Sequence, residues 1–130
     1  MTKGKILIVD DEEGIRDMLA DLMEVLGYPS VVACNGREGL DCLEKERVSL
    51  VISDIKMPVM NGIEMMKKIK EKFSDLQVLL ITGYEADYSR EDGKEAGAAD
   101  YICKPFNIDV IEKKVRTLLE KQNGRGTHVG

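Results

Sequence analysis

The chain has 130 residues, 43% of them hydrophobic and 33% charged, which is typical of one soluble globular domain with its own core. A net charge of −5 argues against non-specific binding of nucleic acid. The apolar stretches fall short of the roughly 20 residues of a membrane helix, and the polar N-terminus indicates no signal peptide. We therefore expect a cytoplasmic protein without membrane contact.

Short apolar runs that end in turn signals predict five strands. They lie at residues 5–10, 30–33, 50–54, 77–81 and 99–103. Apolar residues at helical spacing predict helices between them, over about 13–26, 36–47, 62–72 and 107–122. A further helix is expected over 86–96, but charged residues and Gly93 interrupt its apolar stripe.

The chain divides into a domain and a short tail. Residues 123–130 are rich in glycine and poor in apolar residues, so we predict a flexible tail, a linker remnant or a segment added for expression. The domain itself is expected over residues 3–122.

Alternating strands and helices predict an α/β fold with a parallel sheet covered on both faces. Right-handed crossovers and one reversal of strand order place the first and third strands side by side. The economical arrangement is a doubly wound five-stranded sheet in the order 2-1-3-4-5.

The cysteines and histidine exclude several site types. Cys34, Cys42 and Cys103 are odd in number and form no C-x-x-C pair, which favours buried reduced thiols. His128, in the tail, is the single histidine, so a zinc site or a histidine-based triad in the domain is not expected.

Polar side chains follow four of the predicted strands at their carboxyl ends, where open α/β sheets bind ligands. They are Asp10, Asp11, Asp54, Thr82 and Lys104. Asp54 taken alone could be an ordinary turn or N-cap aspartate. Three clustered carboxylates, however, repel one another unless a cation intervenes, and Mg²⁺ prefers such hard oxygen ligands.

This set of groups suits phosphoryl transfer to a carboxylate. A metal and Lys104 would clamp the phosphoryl oxygens while Asp54 attacks the phosphorus and becomes an aspartyl phosphate. The glycine-rich phosphate loops of nucleotide enzymes are missing from the sequence. The phosphoryl donor is therefore not expected to be a nucleotide bound by this chain.

Four motifs in order along residues 3–122 resemble the receiver domain of two-component response regulators. They are Asp10-Asp11, Asp54 followed by Ile55-Lys56-Met57-Pro58-x-Met60-x-Gly62, Thr82-Gly83, and Lys104-Pro105-Phe106. The resemblance implies the flavodoxin-like receiver fold. It also implies signal relay by a phosphoprotein rather than an enzyme, with catalysis limited to its own phosphorylation and dephosphorylation.

The resemblance assigns the site residues as follows. Asp54 is implied to be the phosphoacceptor, supplied by a histidine kinase or a His-containing phosphotransfer protein. Asp10, Asp11 and Asp54 are implied to hold Mg²⁺ (or Mn²⁺), with the backbone carbonyl of Lys56 as a further ligand.

The resemblance also assigns the switch. Thr82 and Lys104 are implied to hold the phosphoryl group, and Tyr101 to be the aromatic that turns inward when Thr82 moves. The fourth helix would belong to the output surface, and the Lys104–Pro105 bond is expected to be cis. The output partner or domain is not indicated.

The sequence departs from the family pattern in two places. The family's fourth helix usually carries alanines and an aliphatic residue where this chain has charged residues and glycine. Lys56 and Tyr84, two residues beyond Asp54 and Thr82, are long or bulky at positions that flank the hydrolytic water, which would alter the lifetime of the phosphoryl group.

Two other interpretations stay open. A flavodoxin-like small-molecule binder or hydrolase could share this fold. A phosphatase with an aspartate nucleophile would want a D-x-D pattern, and Asp54-Ile55-Lys56 lacks the second acid. The alternative is an interaction module that is never phosphorylated, against which the intact acidic, Thr82 and Lys104 positions speak.

Overall fold

The structure is a computed structural model, and it describes residues 4–83, 97–104 and 107–129, with side chains as far as residue 120. The helix predicted over 86–96, together with Tyr84 and Pro105, lies outside the described residues. Within those residues, no helix is long and apolar enough to cross a membrane.

Five parallel strands form one sheet in the order β2-β1-β3-β4-β5, which confirms the predicted order. Their bounds are β1 Lys5–Val9, β2 Ser30–Ala33, β3 Val48–Asp54, β4 Gln77–Thr82 and β5 Asp100–Cys103. The inner strands β1, β3 and β4 are almost entirely buried because helices cover both faces of the sheet.

Among the described residues, four helices flank the sheet: α1 Glu13–Leu26, α2 Gly36–Lys45, α3 Gly62–Lys72 and α4 Ile108–Val129. Their ends follow from local chemistry. Gly27 adopts φ 88° and terminates α1, as a left-handed C-cap glycine does. Asn61 and Glu64 form a reciprocal capping box that begins α3.

The last helix begins where the sequence predicted and ends later. The Asn107 side chain accepts a hydrogen bond from the Asp109 N–H at 2.7 Å, which caps the start of α4. The helix then continues past residue 122 to Val129. The apolar pattern marks where packing ends, whereas backbone hydrogen bonds carry the helix further. The flexibility of the tail stays a prediction.

The sheet separates two apolar cores. Alternate strand residues point to opposite faces, so Leu50 and Ile52 of β3 face one core and Val51 faces the other. The core that Val51 faces lies between the sheet and α2 and α3, and it buries Met65 and Met66. The core that Leu50 and Ile52 face lies between the sheet and α1 and α4.

Helical spacing of the apolar residues predicts Val25 in the core face of the first helix and Ile108 in that of the last helix, and both predictions are wrong. Val25 of α1 is 82% exposed and Ile108 of α4 is 52% exposed, because both lie off the face that each helix turns to the sheet. The three cysteines form no disulfide within the described residues, and all are partly exposed rather than buried. The expectation of buried thiols is therefore wrong, although reduced thiols remain compatible with the structure.

Candidate functional site

The carboxyl edge of the sheet gathers the predicted polar groups. Asp54 is the last residue of β3 and Thr82 the last of β4, while Asp10 and Lys104 directly follow β1 and β5. The Lys104 N–H donates to the Thr82 carbonyl at 2.8 Å, which fixes the end of β5 beside β4. Asp10, Asp54 and Thr82 are buried although they are polar or charged.

Strand alternation divides these residues between the two faces. Continuing the alternation from Ile8, Ile52 and Ile102 places Asp10, Asp54 and Lys104 on the face covered by α1 and α4. Thr82 falls on the other face by the same rule. The acids and the lysine therefore converge on one side of the sheet edge.

Lys104 forms ion pairs with two carboxylates. Its Nζ lies 3.3 Å from Asp54 Oδ2 and 3.7 Å from Glu12 Oε1. Burial alone would lower the pKa of the Lys104 ammonium, but the carboxylates of Asp54 and Asp10 outweigh this and raise it. The lysine is therefore charged throughout the physiological pH range.

Ionisation of the buried Asp10 carboxylate is electrostatically unfavourable. Its Oδ1 accepts the Glu12 N–H at 2.9 Å, whereas its buried Oδ2 has no hydrogen-bond partner among the described residues. Burial raises the pKa of Asp10 to about 6, and the nearby Asp54 carboxylate adds to that effect. An unpartnered buried carboxylate oxygen is what a cation would relieve.

The Asp54 carboxylate is also buried, but the Lys104 ammonium lies beside it. Burial raises the pKa of its carboxyl group, while the Lys104 ammonium and its hydrogen bond work in the opposite direction. The carboxylate is thus desolvated on rigid backbone but held by one cation. Such a positioned and poorly solvated carboxylate has what a nucleophile requires.

The donor set fits a hard divalent cation. One carboxylate oxygen from each of Asp10, Asp11 and Glu12 lies within 4.8 Å of the other two. This cluster contains Glu12 where the sequence predicted Asp54. Asp11 is exposed, and the Asp10 Oδ2 atom has no hydrogen-bond partner in the part of the chain that the structure describes. These features suit Mg²⁺, which binds through a few carboxylates and keeps several waters.

The loop between β3 and α3 is held tightly beside Asp54. The Gly62 N–H donates to the Ile55 carbonyl at 2.7 Å, and a Cβ on Gly62 would lie 2.2 Å from the Asp54 carbonyl oxygen. Only glycine fits this approach. The loop therefore returns against the peptide of Asp54 and presents the exposed Lys56 beside the site.

The apex of this loop is strained and anchored to α2. Val59 has φ 70°, and the Met60 N–H donates to the Pro58 carbonyl at 2.7 Å, which makes a γ-turn of the rare, strained hand. The Met60 carbonyl accepts the Gly36 N–H at 3.2 Å. A Cβ on Gly36 would lie 2.8 Å from that carbonyl oxygen.

Two site neighbours were missed from the sequence. From the sequence, Glu12 was interpreted only as an acid suited to the first turn of a helix, and Arg16 was assigned no role. Arg16 Nη1 donates to the Asp10 carbonyl oxygen at 2.8 Å and so fixes the turn that carries Asp10 and Asp11. No spacing rule reveals these contacts, because they depend on how long side chains bend.

Tyr101 lies where an aromatic could respond to Thr82. It pairs with Leu80 in the parallel register and packs against the core on the α2 and α3 side. Leu80 and Thr82 share that face of β4, since they are two residues apart. Tyr101 and Thr82 are therefore on the same face of the sheet.

Comparisons with known proteins agree with this geometry. A family model described as the response regulator receiver domain matches residues 6–116. Sporulation initiation phosphotransferase F of Bacillus subtilis (strain 168) is 40% identical over 119 residues, which covers 92% of this chain and 96% of that protein. The uncharacterized transcriptional regulatory protein YkoG of the same organism is 37% identical, but this chain spans only 55% of its length.

Solved structures show the same fold. The chemotaxis response regulator CheY4 of Vibrio cholerae is 33% identical, with a TM-score of 0.83 over 90% of this chain and 99% of that chain. A CheY-like receiver domain protein of Methanospirillum hungatei JF-1 is also 33% identical, with a TM-score of 0.88 over 95% of this chain and 99% of that chain. The chain therefore belongs to the response regulator receiver domain family, whose general function is to be phosphorylated on an aspartate.

Proposed function

We propose that Asp54 is the residue of this receiver domain that becomes phosphorylated. The phosphoryl donor would be a phosphohistidine on a histidine kinase or on a His-containing phosphotransfer protein. One observation carries the proposal. The Asp54 side chain is 7% exposed at the end of a central strand, with its Oδ2 3.3 Å from the Lys104 ammonium. A desolvated nucleophile beside a phosphate-binding cation suits phosphoryl transfer.

The transfer exchanges one bond to phosphorus for another. An Asp54 carboxylate oxygen forms the new P–O bond while the P–N bond to the donor imidazole breaks, and the imidazole leaves with the electron pair. Lys104 exchanges its contact with Asp54 Oδ2 for a phosphoryl oxygen, which also screens the negative charge of the incoming group.

The metal is proposed to be Mg²⁺ (or Mn²⁺), held by the Asp10, Asp11 and Asp54 carboxylates with the Lys56 carbonyl as a further ligand. A bound divalent cation would neutralise charge on the phosphoryl oxygens and orient them. Receiver domains are generally Mg²⁺-dependent. The Oδ2 of Asp10, which has no hydrogen-bond partner within the described ranges, supports such a site here.

The switch is proposed to run from Thr82 to Tyr101. A phosphoryl group would draw the Thr82 hydroxyl towards it, and the space left would admit the Tyr101 ring. Their common face of the sheet supports this coupling. The output surface would include the segment predicted as the fourth helix. Phosphorylation would shift the population of a conformation that already exists rather than create a new one.

We further propose that the chain is a cytoplasmic relay protein, which catalyses only its own phosphorylation and dephosphorylation. Its coverage of 96% of a sporulation initiation phosphotransferase supports a place in a phosphorelay. The output partner or domain stays open, since the chain also matches about half of a longer transcriptional regulatory protein. The net charge of −5 argues against direct binding of nucleic acid by this chain.

Acetyl phosphate with Mg²⁺ tests the proposal. Intact-mass spectrometry should show one phosphoryl adduct in the wild-type protein, labile to hydroxylamine, and none in Asp54→Asn. The matched control is Asp75→Asn, an exposed acid in the α3–β4 loop, which should be labelled as fast as wild type. The same adduct on Asp54→Asn at an unchanged rate would show that another residue is the acceptor.

A further inference from the structure

Glu12 holds the N-cap position of α1 without acting as a cap. Its backbone is extended, with φ −94° and ψ 116°, and its side chain makes no capping hydrogen bond. Its own N–H donates to Asp10 Oδ1 at 2.9 Å, which fixes the residue at the rim of the site. The carboxylate is therefore available for a partner other than the helix.

That partner is Lys104. Glu12 Oε1 lies 3.7 Å from the Lys104 Nζ, which at the same time lies 3.3 Å from Asp54 Oδ2. The Glu12 side chain is 63% exposed and that of Lys104 24%, so Glu12 sits on the solvent side of the lysine. One ammonium is thus shared between an inner and an outer carboxylate.

This arrangement opposes the arrival of a phosphoryl group. The donor is an anion that must approach Asp54 past the Glu12 carboxylate, and it needs the Lys104 ammonium that Glu12 shares. Both effects act against a second negative charge at the same lysine.

We infer that Glu12 is a positioning residue that restrains phosphorylation by holding Lys104 at the rim of the site and adding negative charge there. The inference rests on the proposed function, since it concerns the same phosphoacceptor. It concerns the rate of uptake rather than the identity of the acceptor.

The chain offers a matched control. Glu13 is the next residue, has the same charge and is exposed in the first turn of α1, but its side chain makes no ion pair or hydrogen bond with the described residues. Glu12→Gln and Glu13→Gln therefore remove the same charge, and only the first releases Lys104.

The experiment measures labelling by acetyl phosphate with saturating Mg²⁺. The phosphoryl group passes to an Asp54 oxygen as its P–O bond to acetate breaks, and acetate leaves with the electron pair. Glu12→Gln should be labelled about three- to fivefold faster than wild type at low ionic strength, and Glu13→Gln less than twofold faster. The gain should shrink as salt is added.

Beryllofluoride, a phosphoryl mimic, separates binding from chemistry. It should bind Glu12→Gln more tightly than wild type by a similar factor, with melting temperatures of the two proteins in EDTA showing that the fold is unchanged. Equal rates for the two glutamine variants would overturn the inference. Slower labelling with weaker Mg²⁺ binding in Glu12→Gln would overturn it by making Glu12 a metal ligand. Absence of labelling in wild type would instead refute the proposed function.

Discussion

Replacing Asp10 with asparagine should stabilise the metal-free protein. The Asp10 carboxylate is buried, and its Oδ2 lacks a partner among the described residues. Its pKa rises from 3.8 to about 6 in the folded protein, a shift of roughly two units or about 3 kcal/mol against the ionised form. Because the neighbouring Asp11 is exposed and admits solvent, we expect a gain of about 1 to 3 kcal/mol at pH 7.5 in Asp10→Asn.

The pH dependence of that gain in stability tests its cause. An acid whose pKa is raised on folding binds more protons in the folded state, so its stabilising contribution is present below pH 4 and lost as the pH rises through 6. The difference between Asp10→Asn and wild type should therefore be close to zero near pH 4 and reach its full size above about pH 7.

Urea denaturation followed by far-UV circular dichroism measures this difference. In EDTA, Asp10→Asn should unfold at higher urea than wild type, whereas 10 mM Mg²⁺ should stabilise wild type more than the variant through ligand linkage. Asp11→Asn is the control, since an exposed acid should change the metal-free stability by less than about 0.5 kcal/mol. An equal or lower stability of Asp10→Asn in EDTA at pH 7.5 would refute the reasoning.

Three further substitutions and one control test the site and its supports. Gly36→Ala places a Cβ 2.8 Å from the Met60 carbonyl and should cost about 1 to 3 kcal/mol in urea titrations. In the control, Gly14→Ala, the Cβ meets no described atom within 4 Å and should add about 0.5 to 1 kcal/mol. Val59→Asn should stabilise by roughly 0.5 to 1 kcal/mol, because asparagine tolerates φ 70° better than valine does; a loss of stability would show that the turn is not strained. Lys104→Ala should keep Mg²⁺ binding but slow labelling by acetyl phosphate by about tenfold or more, and an unchanged rate would remove the lysine from the reaction.

The strands and their order could be predicted because both depend on local and general rules. Continuous apolar runs ending at an acid or a threonine mark buried parallel strands, and right-handed crossovers leave few arrangements of the sheet. The convergence of Asp54 and Lys104 followed at once, since the carboxyl ends of parallel strands share one edge.

The remaining features depend on side-chain reach or on strain. Glu12 looked like an acid suited to a helix start, but it bends to Lys104 because that ammonium lies within its span. The left-handed conformation of Val59 contradicts the preference of a β-branched residue, so its own sequence cannot indicate it. Ile108 matched the helical period, but as the first residue of α4 it is 52% exposed.

The separation of the two cores by the sheet matters for protein engineering. Side chains on opposite faces share no partners, so the stability effects of substitutions in the two layers should add to within about 0.5 kcal/mol. Met65 and Met66, on the side of Thr82 and Tyr101, could then be varied in one library. The layer beneath the carboxylates could be varied in another, and the best members of each could be combined without a second screen.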